Sequence, residues 1–558
     1  METLTNLTDS TPAGGSRWVL LNKQSNEHDR ESSADAKTTA SSCTSSGQRF
    51  TVSFSVAAPP APSSFHGHWV RGDGVGGTPA SDDRDDDHHC SYSSYAISDD
   101  RENSKDPELK IIAAHDGAML IEMVPPVGDS YSASAADTSD YFLYEAGAGR
   151  RRPPSLSLLP DCYIPMQCHY QFPTATPMAR DLSVFNATGI LRRGDGEVLV
   201  AQLETPPPLN GAPCKTAELC VLRLRPGGHD HHDWVLKRVP IVHHEGDDGE
   251  LWLWTEMMDA VVPVGSRFMC WVDYSRGFLV CDMAEENPKL RFVPLPVKAP
   301  QTRHRSTDRL DEMNCCRWRN MAAAGAGAVR FVSVAPRCCC GGAGTTTCER
   351  SSSAFNVTTW TLALRMDEPT MAWVKDGVLD CDELWRLPNY GCLPRVALVF
   401  PVVCPDNADV VCFTVREYPQ DSIDDDGADD ETTVWMVKIN TRSKALLSVF
   451  RSDNEDYDAE HLLPVGRVTA WKQCEAVRTE GAEEPPPHRP AHAGQSPASG
   501  DPSPASLALP SARRLYTDSP TNSVRSKAAI GQSGSGKPAP SWHRIGARRP
   551  PAHVFCSW

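Results

Sequence analysis

The sequence lacks the features that direct a chain into or across a membrane. No charged N-terminal region followed by an apolar stretch is present, so no secretory signal is predicted. No run of about 18 apolar residues occurs, so no membrane-spanning helix is expected. We therefore predict an intracellular protein, cytoplasmic or nuclear, that is not secreted and does not bind membranes.

The spacing of the cysteines excludes the usual cysteine sites. The chain has 20 cysteines in 558 residues but no Cys-x-x-Cys pair, which is the spacing typical of zinc sites. Without an export signal, reduced thiols are expected rather than a disulfide scaffold. The run Cys338, Cys339 and Cys340, with Cys315 and Cys316 before it and Cys348 after it, is interpreted as incidental thiols of a surface loop.

Catalytic motifs are absent or incomplete. No Gly-x-Ser-x-Gly elbow occurs. The string GQSGSGKP at residues 531–538 has the spacing of a phosphate-binding loop, but Pro538 replaces the magnesium-binding Ser or Thr and no strand precedes it. The run DSIDDDGADDE at residues 421–431 lacks the first ligand of a calcium loop, because Ser422 stands there. Both strings are interpreted as loops.

Two further groups of residues attract a functional interpretation. The histidines of residues 229–232, with His243 and His244, would bind zinc or nickel weakly, but they follow a Gly-rich turn and nothing completes a site. Asp273 and Asp282 lie at the two ends of a predicted hairpin strand, where a structural role in the turns accounts for them. The sequence therefore names no catalytic, cofactor-binding or metal-binding residue, and no cofactor.

The charge of the chain bears on its partners. The formal net charge is −17, and an acidic chain repels a phosphate backbone, so nucleic-acid binding is not expected. The expected partner is another protein of unknown identity, and the sequence gives no oligomeric state.

Composition divides the chain into a folded region and loose segments. Residues 1–15, an acidic loop at 71–107 and the tail 479–558, rich in Pro, Ser and Arg, lack apolar periodicity and are predicted to be disordered. Between them, residues 16–478 form the predicted β-rich domain. The boundaries follow from where short apolar segments begin and end.

What fills that domain is a long series of short strands. Segments such as TVSFSV, ELCVLRLR and TVWMVKI alternate apolar and polar residues, as half-buried strands do, whereas the best helix candidate, Asp380–Arg386, has only about two turns. Strand–turn–strand units recur, including a three-stranded unit that begins with the hairpin at residues 267–281. We predict a mostly-β fold, an irregular propeller-like assembly of about five to seven small antiparallel sheets. The alternative is two β-sandwich-like domains.

Residues 271–296, WVDYSRGFLVCDMAEENPKLRFVPLP, resemble a plant family, expanded in grasses, known as domain of unknown function 1618. The matching positions are Trp271, Asp273, Gly277, Leu279, Cys281, Asp282, Phe292, Pro294 and Pro296. The resemblance extends over roughly residues 15–475, and it implies a β-rich module of plant origin with no catalytic residues to carry over. This chain departs from the family after about residue 478, where a closing β segment is expected.

The absence of a catalytic constellation favours one function class. The first hypothesis is a non-catalytic protein-interaction scaffold whose loops bind another protein. The alternative is an enzyme whose site is assembled from several blades around a central channel, and a pocket lined by carboxylates or histidines with shifted pKa values would favour it. A third hypothesis is carbohydrate recognition by exposed aromatic side chains.

Overall fold

A computed structural model describes sixteen stretches of the chain. They are residues 18–25, 37–69, 107–124, 139–147, 152–164, 179–194, 196–205, 215–225, 233–242, 258–298, 315–337, 353–368, 370–391, 393–416, 433–452 and 462–466. The chain divides into two units, Met1–Glu483 and Glu484–Trp558, and every described residue belongs to the first. Of the stretches predicted to be disordered, 1–15 and 479–558 lie outside the described residues, and so does all of 71–107 except Pro107.

Nearly all described regular structure is β, in six units of four strands that we call blades A to F. Sequential strands pair antiparallel in blades B to F, whereas in blade A the strand β1 pairs parallel with β4. Blade A contains β1 (Val19–Ser25), β2 (Ala40–Cys43), β3 (Arg49–Ser55) and β4 (Pro62–Trp69). Blade B contains β5 (Glu108–His115), β6 (Ala118–Val124), β7 (Asp140–Glu145) and β8 (Ser155–Leu158). Blade C contains β9 (Thr188–Arg192), β10 (Val198–Glu204), β11 (Thr216–Leu224) and β12 (Val235–Val242).

The second half of the domain repeats this pattern. Blade D contains β13 (Ala260–Val264), β14 (Phe268–Asp273), β15 (Gly277–Asp282) and β16 (Leu290–Pro294). Blade E contains β17 (Arg319–Ala323), β18 (Ala328–Pro336), β19 (Phe355–Ala363) and β20 (Val374–Asp380). Blade F contains β21 (Val399–Val403), β22 (Val410–Arg416), β23 (Val434–Asn440) and β24 (Ala445–Ser452). The last strand, β25 (Leu462–Val465), returns to blade A and pairs antiparallel with β1.

The blades are arranged in a closed ring. The first strands of blades B to F, which are β5, β9, β13, β17 and β21, contact one another in that order, and β25 contacts both β21 and β5. Two strand pairings also join neighbouring blades: β1 meets β5 at Gln24 and Lys110, and β12 pairs parallel with β16. The strand that closes the ring is thus β25, which comes before the Pro-rich tail at residues 479–558.

The alternation of side chains along the strands builds a core on both faces of a blade. In β10, Leu199, Ala201 and Leu203 pack toward blade D, whereas Val198 and Val200 pack toward blade B. In the described residues, six buried apolar clusters lie between A and B, B and C, C and D, D and E, E and F, and F and A. This ring of interfaces confirms the propeller-like prediction, with six blades.

The predicted hairpin and helix are both present. β14 and β15 pair from Phe268 with Asp282 to Asp273 with Gly277, and β16 adds the third strand. The predicted helix is α1 (Cys381–Trp385), which Asp380 caps at its N-terminus by accepting the backbone N–H of Asp382. Among the described helices, none is long and apolar enough to cross a membrane.

Candidate functional site

A cavity of about 480 Å³ lies inside the ring formed by the first strands of the blades. Every residue of β17 lines it, so the cavity extends along the whole of that strand. The apolar part of the lining includes Ala114, Ala260, Val262, Ala323, Val402 and Pro464. The charged and titratable part comprises Lys23, His115, Asp116, Asp259, Tyr274, Cys316, Arg319 and Asp406.

Asp259 lies at the start of blade D, immediately before β13. Its backbone N–H donates to the carbonyl oxygen of Val272 at 2.8 Å, which fixes its position. Its carboxylate accepts the backbone N–H of Tyr274 and the thiol of Cys316, with 3.7 Å between Sγ and Oδ1. No cationic side chain among the described residues lies within 4 Å of this carboxylate. Burial raises the pKa of Asp259 to about 6, because desolvation disfavours the charged form.

Arg319 stands at the start of β17 on the neighbouring blade. Its buried guanidinium donates to the carbonyl oxygen of Tyr274 and, through Nη2, to that of Lys298 at 2.9 Å. Because these acceptors are uncharged, desolvation dominates and lowers the pKa of Arg319. Arg319 thus fastens blade E to the loops of blade D.

Tyr274 reinforces the same junction. Its hydroxyl oxygen accepts the backbone N–H of Met321 at 3.0 Å. Burial raises the pKa of Tyr274 above its ordinary value, so the phenol remains neutral. The wall of the cavity between blades D and E is therefore held by hydrogen bonds that leave little freedom to its side chains.

His115 and Asp116 line the cavity from blade B. Asp116 and Gly117 both have positive φ, of 48° and 76°, as the two central residues of a type I′ hairpin turn between β5 and β6 require. His115 accepts the backbone N–H of Arg192 through Nδ1 at 2.9 Å, which ties the turn to blade C. Asp406 reaches the cavity from the connection between β21 and β22.

The aspartates singled out in the sequence lie elsewhere. Asp273 accepts the backbone N–H of Ser275 and the Nη1 of Arg276, each at 2.8 Å, and Asp282 accepts the backbone N–H of Ala284 at 3.0 Å. Asp282 also accepts the Nε–H of Arg267 at 2.6 Å, and neither carboxylate lines the cavity.

Of the cysteines singled out, Cys315 is buried and Cys316 lines the cavity. The histidines at 229–232, His243 and His244, the cysteines at 338–340 and 348, and the strings at 421–431 and 531–538 lie outside the described residues.

One described group of side chains has the spacing of a metal site. Ligand atoms of Asp380, Cys381 and Asp382 lie within 4.8 Å of one another at the start of α1. The guanidinium Nη2 of Arg337 donates to Asp380 at 3.1 Å and to Asp382 at 3.0 Å, and lies 3.3 Å from the sulfur of Cys381. Arg337 thereby supplies the positive charge that this group requires.

Six four-stranded blades in a ring around a cavity define a β-propeller-like protein. Residues 271–412 match the model of the family described as protein of unknown function (DUF1618). The match begins at Trp271, in β14 of blade D, and ends at Cys412, in β22 of blade F. The resemblance identified from the residues of β14 to β16 is thereby confirmed.

Solved structures with some likeness to this chain are carbohydrate-active proteins. A mutant levansucrase from Bacillus subtilis is 9% identical with a TM-score of 0.23, over 59% of this chain and 81% of that chain. A mutant NanB sialidase from Streptococcus pneumoniae is 10% identical with a TM-score of 0.25, over 62% and 65% respectively. MPT-4, a mannose phosphorylase from Leishmania mexicana, is 11% identical with a TM-score of 0.17, over 53% and 76%. Such low TM-scores carry no argument about activity.

A search of the curated proteins finds no match.

Proposed function

We propose that this protein is a non-catalytic scaffold that binds another protein, and that its central cavity receives a basic side chain of that partner. The observation that carries the proposal is the carboxylate of Asp259, which lines the cavity and accepts hydrogen bonds only from a backbone N–H and a thiol among the described residues. A lysine or arginine would give it a charge-assisted hydrogen bond, which is about twice as strong as a neutral one.

The rigidity of the wall supports binding rather than chemistry. The hydrogen bonds of Arg319 and Tyr274 join blades D and E around the cavity. A partner therefore meets a preformed site, and little affinity is spent on ordering it. The net charge of −17 adds a long-range attraction for a basic partner and disfavours nucleic acid.

The test is the substitution Asp259→Asn, which retains the shape of the side chain and an acceptor for the Tyr274 N–H. Peptides selected from a random display library on the wild-type protein should share one Lys or Arg. Their affinity should fall about 10-fold or more for Asp259→Asn, because a charged hydrogen bond is lost. The exposed carboxylate of Asp161 provides the control, and Asp161→Asn should bind these peptides like the wild type. Selected peptides without a basic residue, or equal affinity for both variants, would contradict the proposal.

The same substitution should stabilise the protein. The folded pKa of Asp259, about 6, lies above its unfolded value of 3.8, so ionisation opposes folding as the pH rises through that interval. We expect Asp259→Asn to raise the free energy of unfolding by up to about 3 kcal/mol near neutral pH, and the gain to shrink as the pH falls toward 4. Denaturant titrations of both proteins at several pH values measure it. A variant less stable than the wild type near neutral pH would show that Asp259 is structural.

One observation favours a second candidate, an enzyme with a site assembled from several blades. A carboxyl with a pKa of about 6, in a cavity that also holds His115 and Cys316, has the properties of a general acid–base group. Incubation with a metabolite extract, followed by mass spectrometry, separates the candidates. Consumption of a compound by the wild type and not by Asp259→Asn would indicate an enzyme.

A further inference from the structure

Two buried cysteines outside the central cavity are in contact with each other. Cys162 follows β8 at the end of blade B, and Cys220 lies within β11 of blade C. Their Sγ atoms are 3.6 Å apart, although the residues are 58 positions apart in sequence. Cys162 is 3% exposed and Cys220 is fully buried. Since the S–S bond is about 2.05 Å long, the two sulfur atoms would approach each other by roughly 1.5 Å to form a disulfide.

A buried guanidinium lies beside this pair. The backbone N–H of Arg180 donates to the carbonyl oxygen of Cys162 at 2.6 Å, which holds Arg180 next to the cysteine. The side chain of Arg180 pairs with Glu204 at 2.9 Å and donates to Gln202, the residue directly opposite Cys220 in the sheet. Residues 161–164 and 179–182 therefore cover a polar part of blade C in which both thiols and Arg180 are packed.

The surroundings make the two thiols chemically unequal. The hydrogen bond with Cys220 lowers the pKa of Cys162 although burial opposes the shift, and a hydrogen bond with the backbone of Ile164 and the charge of Arg180 act in the same direction. The same hydrogen bond, together with burial, raises the pKa of Cys220. Cys162 is thus the sulfur that becomes a thiolate, and Cys220 is the neutral thiol next to it. This is the arrangement of an attacking and a resolving cysteine.

We propose that Cys162 and Cys220 are a redox site that a peroxide converts into a reversible disulfide. The Cys162 thiolate attacks the peroxide, so an S–O bond forms, the O–O bond breaks, and the departing hydroxide takes up a proton to become water. Cys220 then attacks the sulfenic sulfur, so the S–S bond forms and the S–O bond breaks, and its proton leaves with the second oxygen as water. Two thiols and one hydrogen peroxide yield one disulfide and two waters.

Other buried cysteine pairs lack this geometry. Cys270 and Cys281 lie on the adjacent strands β14 and β15, and Cys404 and Cys412 lie at β21 and β22. In the described part of the chain, neither of these pairs has sulfur atoms in contact, and the pKa values of all four thiols are raised, chiefly by burial. Neutral thiols of this kind are inert toward peroxide. They provide internal controls in the same molecule.

The consequence of the disulfide is local. It ties the segment after blade B to the middle strands of blade C and closes a loop of the chain between residues 162 and 220. Closing such a loop restricts the unfolded chain, so the oxidised protein should unfold at a temperature a few degrees higher than the reduced protein.

The experiment uses the full chain, treated with hydrogen peroxide in its native state, alkylated and digested for mass spectrometry. We expect a linked pair of peptides containing Cys162 and Cys220 to rise roughly 10-fold over the untreated protein and to disappear with dithiothreitol. Cys404 and Cys412 should remain alkylated thiols. Unmodified Cys162, or Cys162 linked to any other cysteine, would overturn the proposal without any need for a variant.

Two variants identify the order of the steps. In Cys220→Ala, Cys162 should stop at the sulfenic acid, which dimedone traps, whereas Cys412→Ala should form the 162–220 disulfide at the wild-type rate. If dimedone labels no Cys162 in folded Cys220→Ala, the attacking role of Cys162 is wrong.

Discussion

The interface between blades C and D and the interface between blades F and A follow the same plan but differ in extent. Among the described residues, eighteen buried apolar residues form the core between C and D, against nine between F and A. The C–D interface is further joined by the parallel pairing of β12 with β16 and by the hydrogen bond from the Trp271 indole to the carbonyl oxygen of Ala187 at 2.8 Å.

The two interfaces also differ in how the chain connects them. Blades C and D are consecutive in sequence, whereas blades F and A are joined through β25, which returns to β1. Pairing from Val19 with Val465 to Asn22 with Leu462 is what joins the two ends of the domain. The F–A junction therefore depends on a four-residue strand, which the C–D junction does not need.

Removing that strand should have the largest effect. A chain ending at residue 461 should lose roughly 5 kcal/mol of unfolding free energy relative to one ending at residue 466, because the burial of Leu462 and Val465 is lost. The two chains differ by only five residues, and both lack the tail, so the tail does not affect the comparison. Urea denaturation measures the difference. Equal stability would mean that β25 does not close the ring.

A matched pair of tryptophans compares the two interfaces directly. Trp271 is packed between C and D and Trp18 between F and A, and both are fully buried. Trp271→Ala should lower the free energy of unfolding by about 4 kcal/mol, because it leaves a cavity in the larger core and removes the indole N–H that donates to the Ala187 carbonyl. Trp18→Ala should lower the free energy of unfolding by a smaller amount. Denaturation curves that rank the two variants in the opposite order would contradict the comparison.

A glycine at the C–D interface should give the smallest effect. A Cβ on Gly189 of β9 would lie 2.4 Å from Cγ1 of Val261 in β13, so Gly189→Ala should cost about 2 kcal/mol. Gly377→Ala is the control, because its nearest neighbour would be 4.0 Å away. Adding Val261→Ala should recover part of the loss in a double-mutant cycle. If the loss of unfolding free energy in the double variant equals the sum of the losses in the two single variants, these strands are not in close contact.

The sequence predicted the middle strands of the blades better than the first strands of blades C, D and E. β10, β11, β14 and β22 carry long runs of Val, Leu and Phe because they are buried on both faces, and such runs are visible without a structure. The first strands β9, β13 and β17 and the closing β25 read TGILR, AVVPV, RNMAA and LLPV, and none was identified. Their small and proline residues suit the crowded centre of a ring, and the same residues remove the periodic signal.

The candidate site was less predictable than the fold. Asp259 and Arg319 are 60 positions apart, belong to no motif, and share one cavity only because blades D and E are neighbours. Asp273 and Asp282 carry the stronger local signal, since they stand beside turn residues, yet they bond only their own turns and, in the case of Asp282, the guanidinium of Arg267. Residues that meet only because the blades form a ring have no characteristic spacing in the sequence, so their proximity cannot be predicted from it.

Closure by β25 also has a consequence for synthesis on the ribosome. β1 cannot pair with β25 until Val465, the partner of Val19, has been synthesised. At a translation rate of about 5–20 residues per second, Val465 is added roughly 20–90 s after Val19. During that interval the edge of β1 that β25 will occupy is open, and Trp18 and Leu20 have no blade F to cover them. A nascent chain with such an edge is a natural client for chaperones that bind exposed strands. The half-made protein, rather than the finished one, is thus the state in which this fold is most prone to aggregation.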